Sequence, residues 1–95
     1  MRILALIRRK TGQFTNEQIA PYLEPEAERV RKLYTDGVIR WVSSRGDTPG
    51  AVVEFECADV AEARGIVETL PFAQQGMIDV DLVPLLPYRG FAPRG

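Results

Sequence analysis

Residues 38–57 read VIRWVSSRGDTPGAVVEFEC, and this stretch decides the fold. Val38 to Arg45 carries Ile39, Trp41 and Val42, residue types that favour extended backbone. Gly46-Asp47-Thr48-Pro49-Gly50 concentrates turn formers. Ala51 to Cys57 then resumes as a second strand. Two strands joined by a tight turn make a β-hairpin, against which the remaining elements must pack. No helix follows Gly46–Gly50, so these glycines are not a phosphate-binding loop.

Working outward, Arg2 to Arg9 is an apolar run with charged ends, long enough for one strand and too short for a helix. Thr15 and Asn16 are N-cap types, with Glu17 and Gln18 in the first turn. Pro21 and Pro25 interrupt the helical pattern beyond this cap, since proline breaks a helix interior. The spacing predicts a short turn over 16–23 and a helix over 24–34. On that helix Leu23, Ala27, Val30 and Tyr34 share one face of a 3.6-residue period, and Asp36-Gly37 ends it. Beyond the hairpin, Asp59 caps a helix over 60–70, with Glu62 as the acidic partner of a capping box, and Pro71 closes it. From Met77 to Leu86, Ile78, Val80 and Leu82 alternate with Asp79 and Asp81, which is strand period. A Pro/Gly-rich tail begins at Pro87.

The order is β-α-β-β-α-β, a split βαβ or ferredoxin-like arrangement of the α+β class. It predicts one domain over 1–95, with a four-stranded antiparallel sheet and both helices on one face. Composition agrees with a small globular unit: 95 residues, 45% hydrophobic, 12 Lys+Arg against 13 Asp+Glu, and no His. The net charge of −1 argues against a nucleic-acid partner. The absence of His removes Ser/His and Cys/His catalytic pairs and His-containing zinc sites. One cysteine, Cys57, cannot form an internal disulfide. It reads as a small core residue of a protein in a reducing compartment, the cytoplasm. Ile3 to Ile7 is too short for a signal-peptide core or a membrane span, so no membrane partner is expected.

The helix-covered face should hold Ile3, Ala5, Ile7, Val53, Phe55, Ile78, Val80 and Leu82. The other face then carries Leu4, Leu6, Arg8, Val52, Glu54, Glu56, Met77, Asp79, Asp81, Val83 and Leu85. That mixture of apolar and charged residues suits sheet-to-sheet pairing with an identical chain, because a two-fold interface is self-complementary. Leu85, Leu86, Tyr88 and Phe91 also need a surface, which a neighbouring subunit would offer to tail 87–95.

The chemistry available without His rests on carboxylates. Glu26 falls on the edge of the apolar helix face, where burial raises a carboxyl pKa toward a working acid/base. The plainer alternative is a first-turn acid favoured by the helix dipole. Glu28 points further toward solvent. Arg40 and Arg45, an odd number apart, should occupy opposite strand faces, so that one of them faces a pocket and forks onto a substrate carboxylate. The alternative for either is a surface pair with Glu54 or Glu56. Tyr34 and Trp41 serve either as core packing or as a pocket wall. Asp79 and Asp81 either share a proton or pair with arginines.

From Glu26 to Pro87 the chain resembles the muconolactone isomerase family of dimeric α+β barrels. The matching residues are Glu26-Ala27-Glu28, Leu33, Gly37 and Arg40, then Leu70-Pro71-Phe72, then Met77 or Ile78 with Asp79-Val80. The resemblance implies paired sheets in a homodimer or a larger homo-oligomer. It implies proton transfer on a small unsaturated acid or lactone, with no cofactor and no metal. Glu26 or Glu28 would be the acid/base and Arg40 the carboxylate partner. The residues Trp41, Ser43, Ser44 and Arg45, and the Pro49-Gly50 tip, depart from that family and point to a substrate other than muconolactone. Two other readings stand beside it. One is a cofactor-free monooxygenase or cyclase-type enzyme of aromatic metabolism, with Tyr34, Trp41 and Phe72 lining its pocket. The other is a non-catalytic small-ligand-binding oligomer.

Overall fold

Strand β1 (Arg2–Arg9) runs through the middle of the sheet and is bonded on both edges. The computed structural model describes residues 1–91. After β1 come α1 (Asn16–Thr35), β2 (Ile39–Ser44), β3 (Gly50–Glu56), α2 (Val60–Val67), the short α3 (Pro71–Gln74), β4 (Ile78–Leu85) and a 3-10 turn (Arg89–Phe91). The sheet order is β2-β3-β1-β4, with every pair antiparallel. This is the ferredoxin-like arrangement expected from the hairpin. None of the described helices is long and apolar enough to cross a membrane.

Register decides which residues meet. Ile3 faces Phe55 and Ala5 faces Val53 on one side of β1, while Ala5 faces Leu82 and Ile7 faces Val80 on the other. Ile3, Ala5, Phe55 and Val53 are buried under the helices, with Ile78 beside them. Removing a large apolar side chain of this kind from water contributes about 1.5–3 kcal/mol. Ala63 and Val67 of α2, then Leu70 and Phe72, close the core from the helix side. Met77 belongs to this core as well, not to the open face. It precedes the first paired residue of β4, so strand alternation does not apply to it, and its N–H donates to the Phe72 carbonyl at 2.9 Å.

Helix α1 corrects the expectation of a turn followed by a shorter helix. It is continuous over twenty residues, with both prolines inside it. Thr15 caps it through a full capping box with Gln18. Pro21 and Pro25 are one turn apart on the exposed side, so the carbonyls that lose an N–H partner face water. The buried face also differs from the expected one. Ile19 and Leu33 are the buried residues of α1, while Leu23 and Tyr34 are largely exposed. At 100° per residue, Glu26 stands about 20° from each of Ile19 and Leu33. It therefore lies on the centre line of the packed stripe.

Helix α2 ends at Val67, before the expected Leu70. Leu70 adopts φ −73, ψ 132, as the steric clash ahead of Pro71 requires. Pro71 then begins α3 instead of closing α2. Glu62 accepts the N–H of Ala58, one residue ahead of the capping Asp59.

The open face of the sheet carries half-buried Leu4, Leu6 and Val52 and exposed Trp41 and Val83. Among them Glu54 is buried beside Arg2, at 3.5 Å. Leu86, Tyr88 and Phe91 stand exposed past β4, with the Tyr88 and Phe91 rings edge to face at 5.1 Å. The rest of the tail, 92–95, lies outside the described residues.

Gly50 lies close against β1. Its φ is +153, and a Cβ there would stand 2.0 Å from the Ile7 carbonyl oxygen. Backbone cannot retreat as a flexible side chain can. Gly50→Ala is therefore expected to lower stability by about 2 kcal/mol or more, read from urea unfolding midpoints. An unchanged midpoint would refute the contact.

Candidate functional site

Glu26 is the one carboxylate on the packed stripe of α1, and a cavity opens around it. The cavity lies between α1 and the sheet and has a volume of about 200 Å³. Its wall is largely aliphatic and aromatic, with Ile7, Ile39, Val53, Phe55, Leu70 and Phe72 prominent. Glu26 and Arg9 are its only charged lining residues among those described.

One oxygen of Glu26, Oε1, accepts the Phe72 backbone N–H at 2.9 Å. This contact joins α1 to the start of α3 and supplies the cap that Leu70 does not. Glu26 makes no other hydrogen bond among the described residues, which leaves Oε2 free for a ligand. Burial among apolar groups pushes the Glu26 carboxyl above its ordinary range, and the Phe72 N–H offsets part of that rise. A carboxyl whose proton affinity is raised in this way has the chemistry of an acid/base group.

Of the other expected site residues, Phe72 lines the same cavity. Glu28 is exposed and outside it. Tyr34 lines a separate shallow groove with Val30, Arg31 and Val42. Trp41 pairs with Glu54, so it stands on the open face of the sheet.

The arginines require a correction. A β-bulge between Ile39 and Trp41 adds one residue to β2. Arg40 is that extra residue, and it is exposed and does not line the cavity. The bulge shifts the alternation, so an odd separation no longer places Arg40 and Arg45 on opposite faces. Arg45 stands on the open face near Leu6, Arg8, Asp79 and Asp81. Its guanidinium forks onto Asp47 in the hairpin turn, with Nε at 2.9 Å and a terminal nitrogen at 2.7 Å. That fork pulls the Asp47 carboxyl down to about 2.

Arg9 is the cation that actually reaches the cavity. Its signal was present in the alternation of β1, because Arg9 continues the series Ile3, Ala5, Ile7. Cys57 is buried, and desolvation pushes its thiol up, with nearby Glu62 adding to the shift. It packs as a small core residue and is a poor nucleophile. Among the described residues no cluster of three or more Cys, Asp or Glu is placed to hold a metal ion.

No family model matches the chain, and no curated protein sequence matches it. A solved structure of similar fold is 5-chloro-2-hydroxyhydroquinone dehydrochlorinase (TftG) from Burkholderia phenoliruptrix AC1100, in complex with 2,5-dihydroxybenzoquinone. The TM-score is 0.75 at 14% sequence identity, over 95% of this chain and 98% of that one. At that identity the likeness shows a shared fold, the ferredoxin-like βαββαβ domain.

The raised Glu26 carboxyl has a consequence for stability. The folded state holds that proton more tightly than the unfolded chain, whose reference value is 4.5. The stabilising contribution is complete below that value and is lost as pH rises through the folded pKa. Glu26→Gln keeps an oxygen for the Phe72 N–H and cannot ionise. Urea unfolding across this window should show the wild type losing stability relative to the variant as pH rises. Parallel curves would contradict the assignment.

Proposed function

We propose that this protein is a cofactor-independent enzyme that moves a proton on a small unsaturated acid or lactone. The observation that carries the reading is Glu26, half-buried in an apolar cavity with one oxygen held by backbone and the other unpartnered. In the reaction, ionised Glu26 takes a proton from carbon next to a carbonyl. The C–H electron pair moves into the conjugated system as a dienolate. The new carboxylic acid returns the proton at the far end of that system, and the double bond shifts. One C–H bond breaks and one forms, so no oxidant or reductant is needed.

The fold likeness to a dehydrochlorinase of a chlorinated hydroxyhydroquinone favours a second reading on the same site. Loss of hydrogen chloride from a ring compound also requires a base to accept a proton. A hydroxylated aromatic or quinone substrate would use Glu26 in that role.

We also propose a cytoplasmic homodimer paired sheet to sheet, a dimeric α+β barrel. Leu4, Leu6 and Val52 lie half-buried at the centre of the open face, with Arg2, Glu54, Arg8, Asp79 and Asp81 around them. A second copy of the same face would cover the apolar centre and match charge with charge. Val52→Asp should convert the dimer to a monomer in analytical ultracentrifugation. A wild type that sediments as a monomer would end the proposal.

The proton-transfer reading is tested by deuterium exchange into muconolactone and simpler unsaturated lactones in heavy water, followed by NMR. Wild type should catalyse exchange, and Glu26→Gln should lose at least about a hundredfold in rate. Exchange that survives the substitution would remove Glu26 from the chemistry. Absence of exchange with every lactone would leave ring dehydrohalogenation as the reading to pursue.

A further inference from the structure

Three consecutive cations, Arg8, Arg9 and Lys10, stand at the end of strand β1. Strand geometry sends them to different surroundings. Arg8 stands on the open face, opposite Asp79 in register and beside Asp81. Lys10 pairs with Asp79 at 3.6 Å. Arg9 has the parity of the core residues, is half-buried, and lines the cavity under α1. Among the described residues no carboxylate forms an ion pair with it. Glu26 shares the cavity, yet its Oε1 is held by the Phe72 N–H and not by Arg9.

The base of Arg9 is held firmly. Its N–H donates to the Pro49 carbonyl at 3.0 Å, and its carbonyl accepts the Thr11 N–H at 3.0 Å. The Lys10 N–H donates to the Met77 carbonyl at 2.8 Å. The end of β1 is thus tied to both neighbouring segments, and the guanidinium starts from a fixed root. A guanidinium that lines an apolar cavity without an ion pair has a counter-charge still to gain. A ligand carboxylate or enolate supplies that charge through two parallel hydrogen bonds. The aliphatic and aromatic wall accepts the remainder of a ring.

We propose that Arg9 is the specificity-determining residue of this cavity: it anchors the anionic oxygen of a small planar ring compound whose body fills the apolar space beside Glu26. The proposal deepens the proton-transfer reading and rests on it for the identity of the site, but its test needs no turnover.

Benzoate and benzamide are close in shape and differ in charge, so their binding by isothermal titration calorimetry isolates the contribution of the anion. A charge-assisted pair predicts that wild type binds benzoate at least about tenfold more tightly than benzamide. Arg9→Gln should reduce benzoate to the level of benzamide and leave benzamide within about twofold, since the apolar wall is untouched. Arg9→Lys should recover part of the preference, as a point charge without the fork. Arg64→Gln, on the exposed side of α2 and outside the cavity, should change neither ligand. Retained benzamide binding also shows that the cavity has survived the substitution.

Unchanged benzoate affinity in Arg9→Gln would overturn the proposal. Equal loss of both ligands would reduce Arg9 to packing and also overturn it. Absence of saturable benzoate binding to wild type would do the same. Glu26→Gln should keep the preference for benzoate, so a failure of the proton-transfer chemistry is distinguishable from a failure of the anion anchor.

Discussion

Strand β1 is hydrogen-bonded along both edges, and its two-residue alternation constrains the rest of the molecule. A strand locked between two neighbours cannot rotate or slip without moving every side chain to the other face. Ile3, Ala5 and Ile7 therefore bury beneath the helices while Leu4 and Leu6 stay on the open face. The register carries this division to Val53 and Phe55 on one side and to Val80 and Leu82 on the other. Gly50 lies tightly against β1 because its missing side chain lets β3 approach the Ile7 carbonyl. The same alternation delivers Arg9 to the helix side of the sheet. A residue at the polar end of an apolar strand thus becomes part of a cavity.

Glu26 joins stability to chemistry. Its position on the centre line of α1 places a carboxylate where an apolar residue would pack better, and burial disfavours its charged form. The Phe72 N–H compensates in part, and it also fixes where one carboxylate oxygen sits. An apolar residue at this position would remove the one carboxylate among the described residues that line the cavity. An ionisable group at the centre of a packed face, with one oxygen unpartnered among the described residues, is what marks this cavity as the candidate site.

The hairpin, the order of elements and the helix-side core were legible because they depend on local chemistry. Turn formers at Gly46–Gly50, the Thr15 cap and the alternation after Met77 each act over a few residues. The site was legible only in part. Glu26 and Phe72 could be singled out, although they are forty-six residues apart and nothing local predicts that one holds the other's N–H. The faces of Arg40 and Arg45 do not follow simple alternation, because a bulge adds a residue to β2 without a clear mark in the sequence. Arg9 continues the alternation of Ile3, Ala5 and Ile7, yet only the helix packed over the sheet turns that position into a cavity wall.

The sequence by itself determined the four strands, the presence of two main helices, their order and the side of the sheet that the apolar residues of β1 and β3 take, because turns, caps and alternation are short-range effects. It did not determine the phase of α1. Pro21 and Pro25 read locally as breaks, and only packing of Ile19 and Leu33 against the sheet, with both prolines turned to water, sustains one helix through them. That phase moves Glu26 from the edge of the apolar face to its centre. The pairing of Glu26 with Phe72 and the shared cavity with Arg9 were likewise decided by tertiary structure, since each brings together elements distant along the chain.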